Sequence, residues 1–298
     1  MKEIKIVEEI RKLAGKPGKG IIAGIGDDCA VLKYAGNKYL LWAADMLIQG
    51  THFDIKNAGY EKIGRKAIAV NISDIAAMGG IPKYVTVSLG LPPKRSLNTV
   101  RALYRGIDRI CKEYGIEVIG GDVNRSLKLV IDVSIIGIVE KKRLLRRSGA
   151  NKGDLILVTG PVRNGRKEHL DFVPRLKEAR FLSGRFRITS MIDVSDGIAP
   201  DMGRICAESR TGCRVYADSI PLSKGLTLED ALYFGESFEL LFTMPVVEAN
   251  RLFRSMRSGR GDLKYFIIGE VTGENTGLRL IQKEGRSTAL KMKAFRHF

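Results

Sequence analysis

Acidic side chains beside glycines, where strands are expected to end, are the residues of this sequence best suited to chemistry. Four such clusters occur: Gly24-Ile-Gly-Asp-Asp28, Ala44-Asp45, Gly120-Gly-Asp122 and Asp193-Val-Ser-Asp-Gly197. A fifth carboxylate, Asp74, lies within an apolar helical pattern, where an ionised side chain is costly unless it is paired or bound to a metal. Carboxylate oxygens are ligands of Mg²⁺, which also binds phosphates. The pattern therefore predicts a site for Mg²⁺ and phosphates, of the kind used in phosphoryl transfer.

Each of these clusters taken alone also has an ordinary structural explanation. Asp followed by Gly is common in turns, and Ser-Asp ahead of a helix is a common N-cap. The hypothesis of a phosphate site therefore depends on the coincidence of all the clusters in one chain rather than on any one of them.

Several other kinds of nucleotide or metal site have no support in the sequence. There is no G-x-x-x-x-G-K-[ST] phosphate loop and no G-x-G-x-x-G dinucleotide fingerprint. The three histidines, His52, His169 and His297, form no H-E-x-x-H pattern, and the four cysteines form no C-x-x-C pair. Zinc sites and thioredoxin-like redox chemistry are accordingly disfavoured.

Hydrophobic periodicity and glycine or proline breaks predict the elements that must position these carboxylates. Helices are expected at 3–14, 59–79, 97–114, 166–182, 198–209 and 246–257. Strands are expected at 21–32, 39–44, 84–91, 116–119, 129–139, 155–159, 192–194, 214–217, 239–244 and 265–271. This alternation indicates an α/β or α+β chain of two similar halves, with a boundary near 141–153.

Composition places the chain among ordinary globular proteins with a strongly basic surface. It has 298 residues, 44% of them hydrophobic, and 50 Lys+Arg against 33 Asp+Glu give a net charge of +17. No apolar run is long enough for a membrane span and the N-terminus has no apolar signal core, so we expect no membrane association and a cytoplasmic protein with reduced cysteines.

The charge would suit a nucleic acid or another acidic partner, but RNA- and DNA-binding motifs are missing, so nucleic-acid binding ranks below a solvated basic surface.

Six segments, taken in order, resemble those of the thiamine-monophosphate kinases. This family belongs to a superfamily that includes aminoimidazole-ribotide synthetase, selenophosphate synthetase and a hydrogenase maturation protein. The segments are Gly24-Ile-Gly-Asp-Asp-Cys-Ala-Val31, Asp45-Met-Leu-Ile-Gln-Gly-Thr-His52-Phe, Lys66-Ala-Ile-Ala-Val-Asn-Ile-Ser-Asp-Ile-Ala-Ala-Met-Gly79, Gly120-Gly-Asp-Val-Asn-Arg125, Arg147-Ser-Gly-Ala-Asn-Lys-Gly-Asp154 and Ile192-Asp-Val-Ser-Asp-Gly197.

The resemblance implies an α/β (α+β), two-domain fold like that of aminoimidazole-ribotide synthetase. Residues 1–140 would form an N-terminal ATP- and Mg-binding domain that pairs with a second copy into a dimeric β-barrel, and 141–298 a C-terminal α/β domain. The implied protein is a homodimer. Its implied reaction transfers the γ-phosphoryl group of ATP directly to thiamine monophosphate, with Mg²⁺ as cofactor, and yields thiamine diphosphate.

The same resemblance assigns roles to particular residues. The implied Mg²⁺ ligands are Asp28, Asp45, Asp74, Asp122, Asp193 and Asp196. The residues implied to bind ATP are Gly121, Asp122, Arg147 and Ser195. The residues implied to be catalytic are Asp122, Asp196 and Arg147. Those implied at the thiamine substrate are His52, Glu236 and Phe295.

Three departures from the family pattern leave an alternative open, namely a related ATP-dependent enzyme with a different acceptor. In Gly235-Glu-Ser-Phe-Glu-Leu240, Ser237 replaces an acidic residue and Phe238 a tyrosine. Ala43-Ala44 replaces a pair of hydroxyl residues, which removes a hydroxyl ligand from the metal site. The segment after Gly160 is short. The selenophosphate and hydrogenase maturation enzymes are disfavoured because the glycine-rich segment 15–20 and the C-terminus have no cysteine.

Overall fold

In the computed structural model, which describes residues 3–93, 96–163, 169–257 and 263–292, the chain builds two mixed sheets in succession. The first has six strands in the order β1-β2-β3-β6-β4-β5. These strands are β1 (Ile21–Ala23), β2 (Ala30–Lys33), β3 (Lys38–Ile48), β4 (Ile81–Leu91), β5 (Glu117–Arg125) and β6 (Val130–Glu140). The helices of this half are α1 (Glu3–Ala14), α2 (Tyr60–Ala77) and α3 (Leu97–Tyr114).

Only one face of the first sheet is covered within the chain. On β6 the side chains of Ile131, Val133 and Ile135 are fully buried in one apolar cluster with residues of α2 and α3, as the alternation of a half-buried strand requires. On the opposite face Trp42 and Tyr84 are 49% and 42% exposed. The first sheet therefore has an open, partly apolar face.

The second half is a seven-stranded sheet with helices on both faces, in the order β13-β12-β9-β11-β7-β10-β8. Its strands are β7 (Leu155–Thr159), β8 (Ser190–Asp193), β9 (Thr211–Tyr216), β10 (Leu240–Met244), β11 (Tyr265–Gly273), β12 (Leu278–Ile281) and β13 (Ser287–Ala289). Its helices are α4 (Leu176–Arg185), α5 (Ile198–Ser209), α6 (Leu228–Tyr233) and α7 (Val246–Arg257). The end of α2, at Ala76 and Ala77, packs into the same apolar cluster as α4 and α7 and so links the two halves.

Most of the expected elements are confirmed, and α1, α3, α5 and α7 have the expected bounds. The helix expected at 166–182 is wrong over residues 169–175, because α4 begins only at Leu176, after Pro174. The strand expected at 116–119 continues to Arg125, because residues 120–125 pair in parallel with β4. The Gly120-Gly121-Asp122 cluster therefore lies inside a strand and not after one.

Two expectations drawn from composition can be compared with the structure. Among the described helices, none is both long enough and apolar enough to cross a bilayer. All four cysteines are buried and free of disulfide bonds.

Candidate active site

A cavity of about 460 Å³ lies between the two halves and is lined by both. Carboxylates from loops, helices and strand ends converge on it. The acidic lining residues include Asp28, Asp45, Asp74, Asp193, Asp196 and Glu236. Five of the six aspartates that the resemblance assigns to Mg²⁺ are therefore brought together.

Three of these carboxylates form the centre of the cluster. Asp28 lies in the loop between β1 and β2, Asp74 on α2 and Asp193 at the end of β8, and one oxygen from each lies within 4.8 Å of the other two. Ser73 Oγ donates a hydrogen bond to Asp193 Oδ2 at 2.6 Å. Asp28 Oδ2 is buried and has no hydrogen-bond partner among the described residues, which is costly unless the oxygen binds a ligand. Three carboxylates, one of them with an oxygen that accepts no hydrogen bond within the described chain, suit a hard cation such as Mg²⁺, which prefers oxygen ligands.

The cluster carries more negative charge than its own surroundings neutralise. Burial and the neighbouring carboxylates raise the pKa values of Asp74 and Asp193 well above the ordinary aspartate value. Burial raises the pKa of Asp45 to about 6, although a hydrogen bond with Asp74 acts in the opposite direction. Burial and the charge of Asp28 raise the pKa of Asp27 to about 7. A bound divalent cation would relieve this repulsion.

Arg147 supplies positive charge beside the cluster. Its Nη2 donates to Asp28 Oδ1 at 2.7 Å, and its backbone N–H donates to Asp27 Oδ1 at 3.1 Å. Burial opposes the charge of this guanidinium, but Asp28 outweighs that effect and raises the pKa of Arg147. Arg147 thus remains charged at the cavity, where it could bind an anionic phosphate.

The turn before α5 is held by residues that the sequence analysis did not single out. Asp201 is fully buried, and its Oδ2 accepts hydrogen bonds from the backbone N–H groups of Asp196 (3.1 Å) and Gly197 (3.2 Å). Arg204 forms ion pairs with both Asp196 and Asp201. Asp196 therefore lies at the cavity with a guanidinium partner, directly after Ser195, which also lines the cavity.

A second group of polar side chains surrounds Glu236 at the same cavity. Lys66 forms an ion pair with Glu236, donates to the His52 backbone oxygen at 2.9 Å, and lies 2.7 Å from His169 Nδ1. His169 Nδ1 is also 3.1 Å from Glu236 Oε2. His52 and Glu236, which the resemblance assigns to the thiamine substrate, are thus close in space although distant in sequence. Lys66 and His169 were not predicted as site residues.

The loop that carries Glu236 has an unusual backbone. Glu236 and Phe238 have φ values of +64° and +52°, a backbone conformation that residues other than glycine rarely adopt. A Cβ on Gly235 would lie 1.8 Å from the Ser195 carbonyl oxygen, so this position admits only glycine. The ring of Phe238 stacks on Phe172 with centroids 4.1 Å apart. The short segment after Gly160 therefore contributes both His169 and Phe172 to this end of the site.

Gly121 and Asp122 are not brought to this cavity. Both lie on β5, whose side chains are exposed along its whole length, and Asp122 accepts hydrogen bonds from Val123 N (2.8 Å) and Asn124 Nδ2 (2.5 Å). A Cβ on Gly121 would lie 1.8 Å from the Val87 carbonyl oxygen. The close approach of β4 is therefore enough to require glycine at this position. Phe295 lies outside the described residues.

Comparisons with known proteins give the following relationships. Family models match residues 26–139 as "AIR synthase related protein, N-terminal domain" and 134–281 as "AIR synthase related protein, C-terminal domain". The chain is 33% identical to the thiamine-monophosphate kinase of Buchnera aphidicola subsp. Schizaphis graminum, over 99% of this chain and 98% of that protein. It is 32% identical to the thiamine-monophosphate kinase of Bacillus subtilis, over 92% of this chain and 93% of that protein. A solved structure described as "AaThiL complexed with AMPPCP and TMP" matches with a TM-score of 0.84 and 29% identity, over 99% of this chain and 97% of that one.

Proposed function

The chain belongs to the thiamine-monophosphate kinase family of AIR synthase related proteins, and we propose that it transfers the γ-phosphoryl group of ATP to the phosphate of thiamine monophosphate, forming thiamine diphosphate. ATP is the co-substrate and Mg²⁺ the cofactor. We assign the reaction to the cytoplasm, where ATP is available.

One observation carries this proposal beyond the family relationship. The Asp28, Asp74 and Asp193 carboxylates and the Arg147 guanidinium share one cavity with Glu236 and His52. A site that transfers a phosphoryl group from ATP to another phosphate needs one region that binds metal and phosphates, here called the metal-binding pole. It also needs a second region that binds the rest of the acceptor, here called the acceptor pole. The cavity has side chains suited to both.

The metal-binding pole would consist of the aspartates. Asp28, Asp74 and Asp193 would hold Mg²⁺, and Asp45 and Asp196 are further oxygen donors at the same cavity. Bound there, Mg²⁺ would neutralise charge on the phosphates of ATP. Asp28 holds the Arg147 guanidinium, whose remaining N–H groups would donate to phosphate oxygens. Charge neutralisation and positioning are what phosphoryl transfer mainly requires of the protein.

The acceptor pole would consist of Glu236 and His52, with Ser195 toward the nucleotide. The Glu236 carboxylate can accept hydrogen bonds from an amino-substituted ring such as the aminopyrimidine of thiamine. We retain Phe295 as a proposed contact to that ring.

The substrate assignment can be tested directly with the purified protein. We expect thiamine diphosphate to form from thiamine monophosphate, ATP and Mg²⁺, and expect EDTA to stop the reaction. Aminoimidazole precursors serve as control acceptors. Phosphorylation of a control acceptor with none of thiamine monophosphate, in protein that binds an ATP analogue, would contradict the assignment.

We further propose that the chain has two domains, 1–140 and 141–298, and forms a homodimer through the first. The first sheet ends with β6 at Glu140 and the second begins with β7 at Leu155, which supports the division. The open sheet face and the exposed edge strand β5, with Ile119 56% and Val123 63% exposed, support the dimer. Unpaired apolar edge strands tend to be covered by another chain, and a second copy could close this sheet into a barrel. Asp122 lies on β5, so its proposed role at Mg²⁺ would then be exerted across the interface.

Replacing both Ile119 and Val123 with lysine is expected to convert a dimer into monomers, because each subunit would bury two charges at the proposed interface. Light scattering during size-exclusion chromatography measures the mass. Leu97→Lys is the matched control, since Leu97 is 72% exposed on α3, away from the open face. A monomeric wild-type protein, or a double variant that stays dimeric, would refute the proposed interface.

A further inference from the structure

Lys66 is a fully buried lysine on helix α2. Its side chain is 0% exposed on α2, between Arg65 and Ala67. Removing an ammonium group from water is unfavourable unless close partners replace the water. The position of Lys66 therefore calls for an explanation that core packing does not supply.

The partners of Lys66 are His169 and the two residues that form the proposed acceptor pole. Its Nζ forms an ion pair with Glu236 and donates to the backbone oxygen of His52 at 2.9 Å. Both Glu236 and His52 line the cavity, whereas Lys66 lies behind them and is not among the lining residues. Lys66 thus contacts the acceptor pole from the side opposite to the cavity.

His169 completes the arrangement around the Glu236 carboxylate. Its Nδ1 lies 3.1 Å from Oε2, while Lys66 holds Oε1. Each carboxylate oxygen can accept more than one hydrogen bond, so both oxygens retain capacity for N–H donors of a ligand in the cavity. Burial disfavours ionisation of Glu236, but His169 and Lys66 outweigh it and lower the pKa of this carboxyl.

The backbone at Glu236 indicates that this orientation is imposed. Its φ of +64° is unfavourable for a residue with a side chain, and such conformations persist only where the surroundings hold them. The surroundings here are the Lys66 ion pair on the side chain and a 2.7 Å hydrogen bond from the Glu236 N–H to the Ser195 carbonyl. The strained backbone and the ion pair with the buried Lys66 ammonium are thus both found at Glu236.

We propose that Lys66 is a positioning residue that, together with His169, fixes the Glu236 carboxylate and the loop of His52 to receive the amino-substituted ring of the phosphoryl acceptor. The inference rests on the proposed function and names the residues that set recognition of its acceptor. Lys66 acts through Glu236 and is not itself in contact with the substrate.

Steady-state kinetics of Lys66→Met, Glu236→Gln and the double variant test this inference. We expect Lys66→Met to raise the KM for thiamine monophosphate about tenfold or more while the KM for ATP changes by less than about twofold. Because Lys66 acts through Glu236, the double variant should be no worse than Glu236→Gln alone. Lys62→Met is the matched control, since Lys62 lies one turn earlier on α2, is 55% exposed and pairs with Asp171.

Other outcomes would overturn the inference. An unchanged KM for thiamine monophosphate in Lys66→Met, equal losses toward both substrates, or additive losses in the double variant would leave Lys66 with a structural role only. Should Lys66→Met fail to fold, His169→Gln replaces it, with an expected rise of about threefold in the same KM and no change for ATP; no rise would refute the proposal. A wild-type protein that does not phosphorylate thiamine monophosphate would instead overturn the proposed function, which distinguishes the two failures.

Discussion

Replacing Asp74 with asparagine is expected to abolish most turnover while making the metal-free protein more stable. Asp74, Asp28 and Asp193 place carboxylate oxygens within 4.8 Å of one another, so each charge is unfavourable without a cation. Asparagine has nearly the same shape but lacks the charge. We expect the free energy of unfolding in EDTA to rise by on the order of 1 kcal/mol, or about 2 °C in Tm.

The catalytic activity of the Asp74→Asn variant should fall, although its stability without metal should rise. A neutral amide is a poorer Mg²⁺ ligand, and we expect kcat to fall about 10²–10³-fold, the usual cost of removing one preorganised electrostatic group. Thermal unfolding with and without Mg²⁺ tests the cause, because a ligand that binds only the folded state raises Tm. We expect the increase in Tm with Mg²⁺ to be large in the wild type and small in the variant.

A matched control separates this effect from the general loss of a negative charge. Asp108 is exposed on α3, where it pairs with Lys112, so Asp108→Asn should leave both activity and the Mg²⁺ response unchanged. A fall in the Tm of Asp74→Asn in EDTA, or near-normal kcat, would show that the three aspartates are not a metal site under electrostatic strain.

The metal-binding pole could be predicted from the sequence because each of its residues carries a local signal. Asp28 follows a glycine-rich break, Asp193 ends a short apolar strand, and Asp74 interrupts an apolar helical pattern. Strand ends and helix faces directed at one cavity are enough to bring such residues together.

The acceptor pole was only half predictable, because its contacts join residues remote from one another in the chain. Lys66 and Glu236 are separated by 170 positions, and no local pattern indicates that they form an ion pair. Lys66 directly follows Arg65 and precedes the apolar run 67–70, so its neighbours in sequence do not mark it as a buried residue in the way that those of Asp74 do. His169 has no such signal, since it lies in an irregular segment that periodicity assigns to a helix.

The glycines at 120 and 121 misled the strand prediction for a physical reason. Paired glycines are typical of turns, so the strand was expected to stop at 119. In the structure Gly121 remains in β5, since only a residue without Cβ can approach the Val87 carbonyl so closely. Whether a glycine serves a turn or a close backbone contact depends on the neighbouring strand, which the local sequence does not contain.

Asp122 provides a decisive test of the proposed dimer, because the resemblance assigns it to Mg²⁺ while the structure places it on exposed β5, outside the cavity. If it serves the site of the partner subunit, Asp122→Asn and Asp74→Asn homodimers should each lose about 10²-fold or more in kcat. A heterodimer of the two variants would contain one site with both replacements and one with neither. We therefore expect the heterodimer to regain about half of the wild-type activity, as intersubunit sites in a two-fold dimer require.

Co-expression of the two variants with different affinity tags, followed by purification on both tags, isolates the heterodimer for this measurement. The doubly tagged wild-type dimer sets the reference activity, and a heterodimer of wild type with the Asp74→Asn/Asp122→Asn double variant should have no active site, because each of its sites would lack one of the two aspartates. If Asp122 instead serves its own subunit, the outcomes reverse: the first heterodimer stays inactive and the second regains about half of the activity. Near-normal activity of the Asp122→Asn homodimer would remove Asp122 from the metal site altogether and leave the exposed strand β5 with a role in association only.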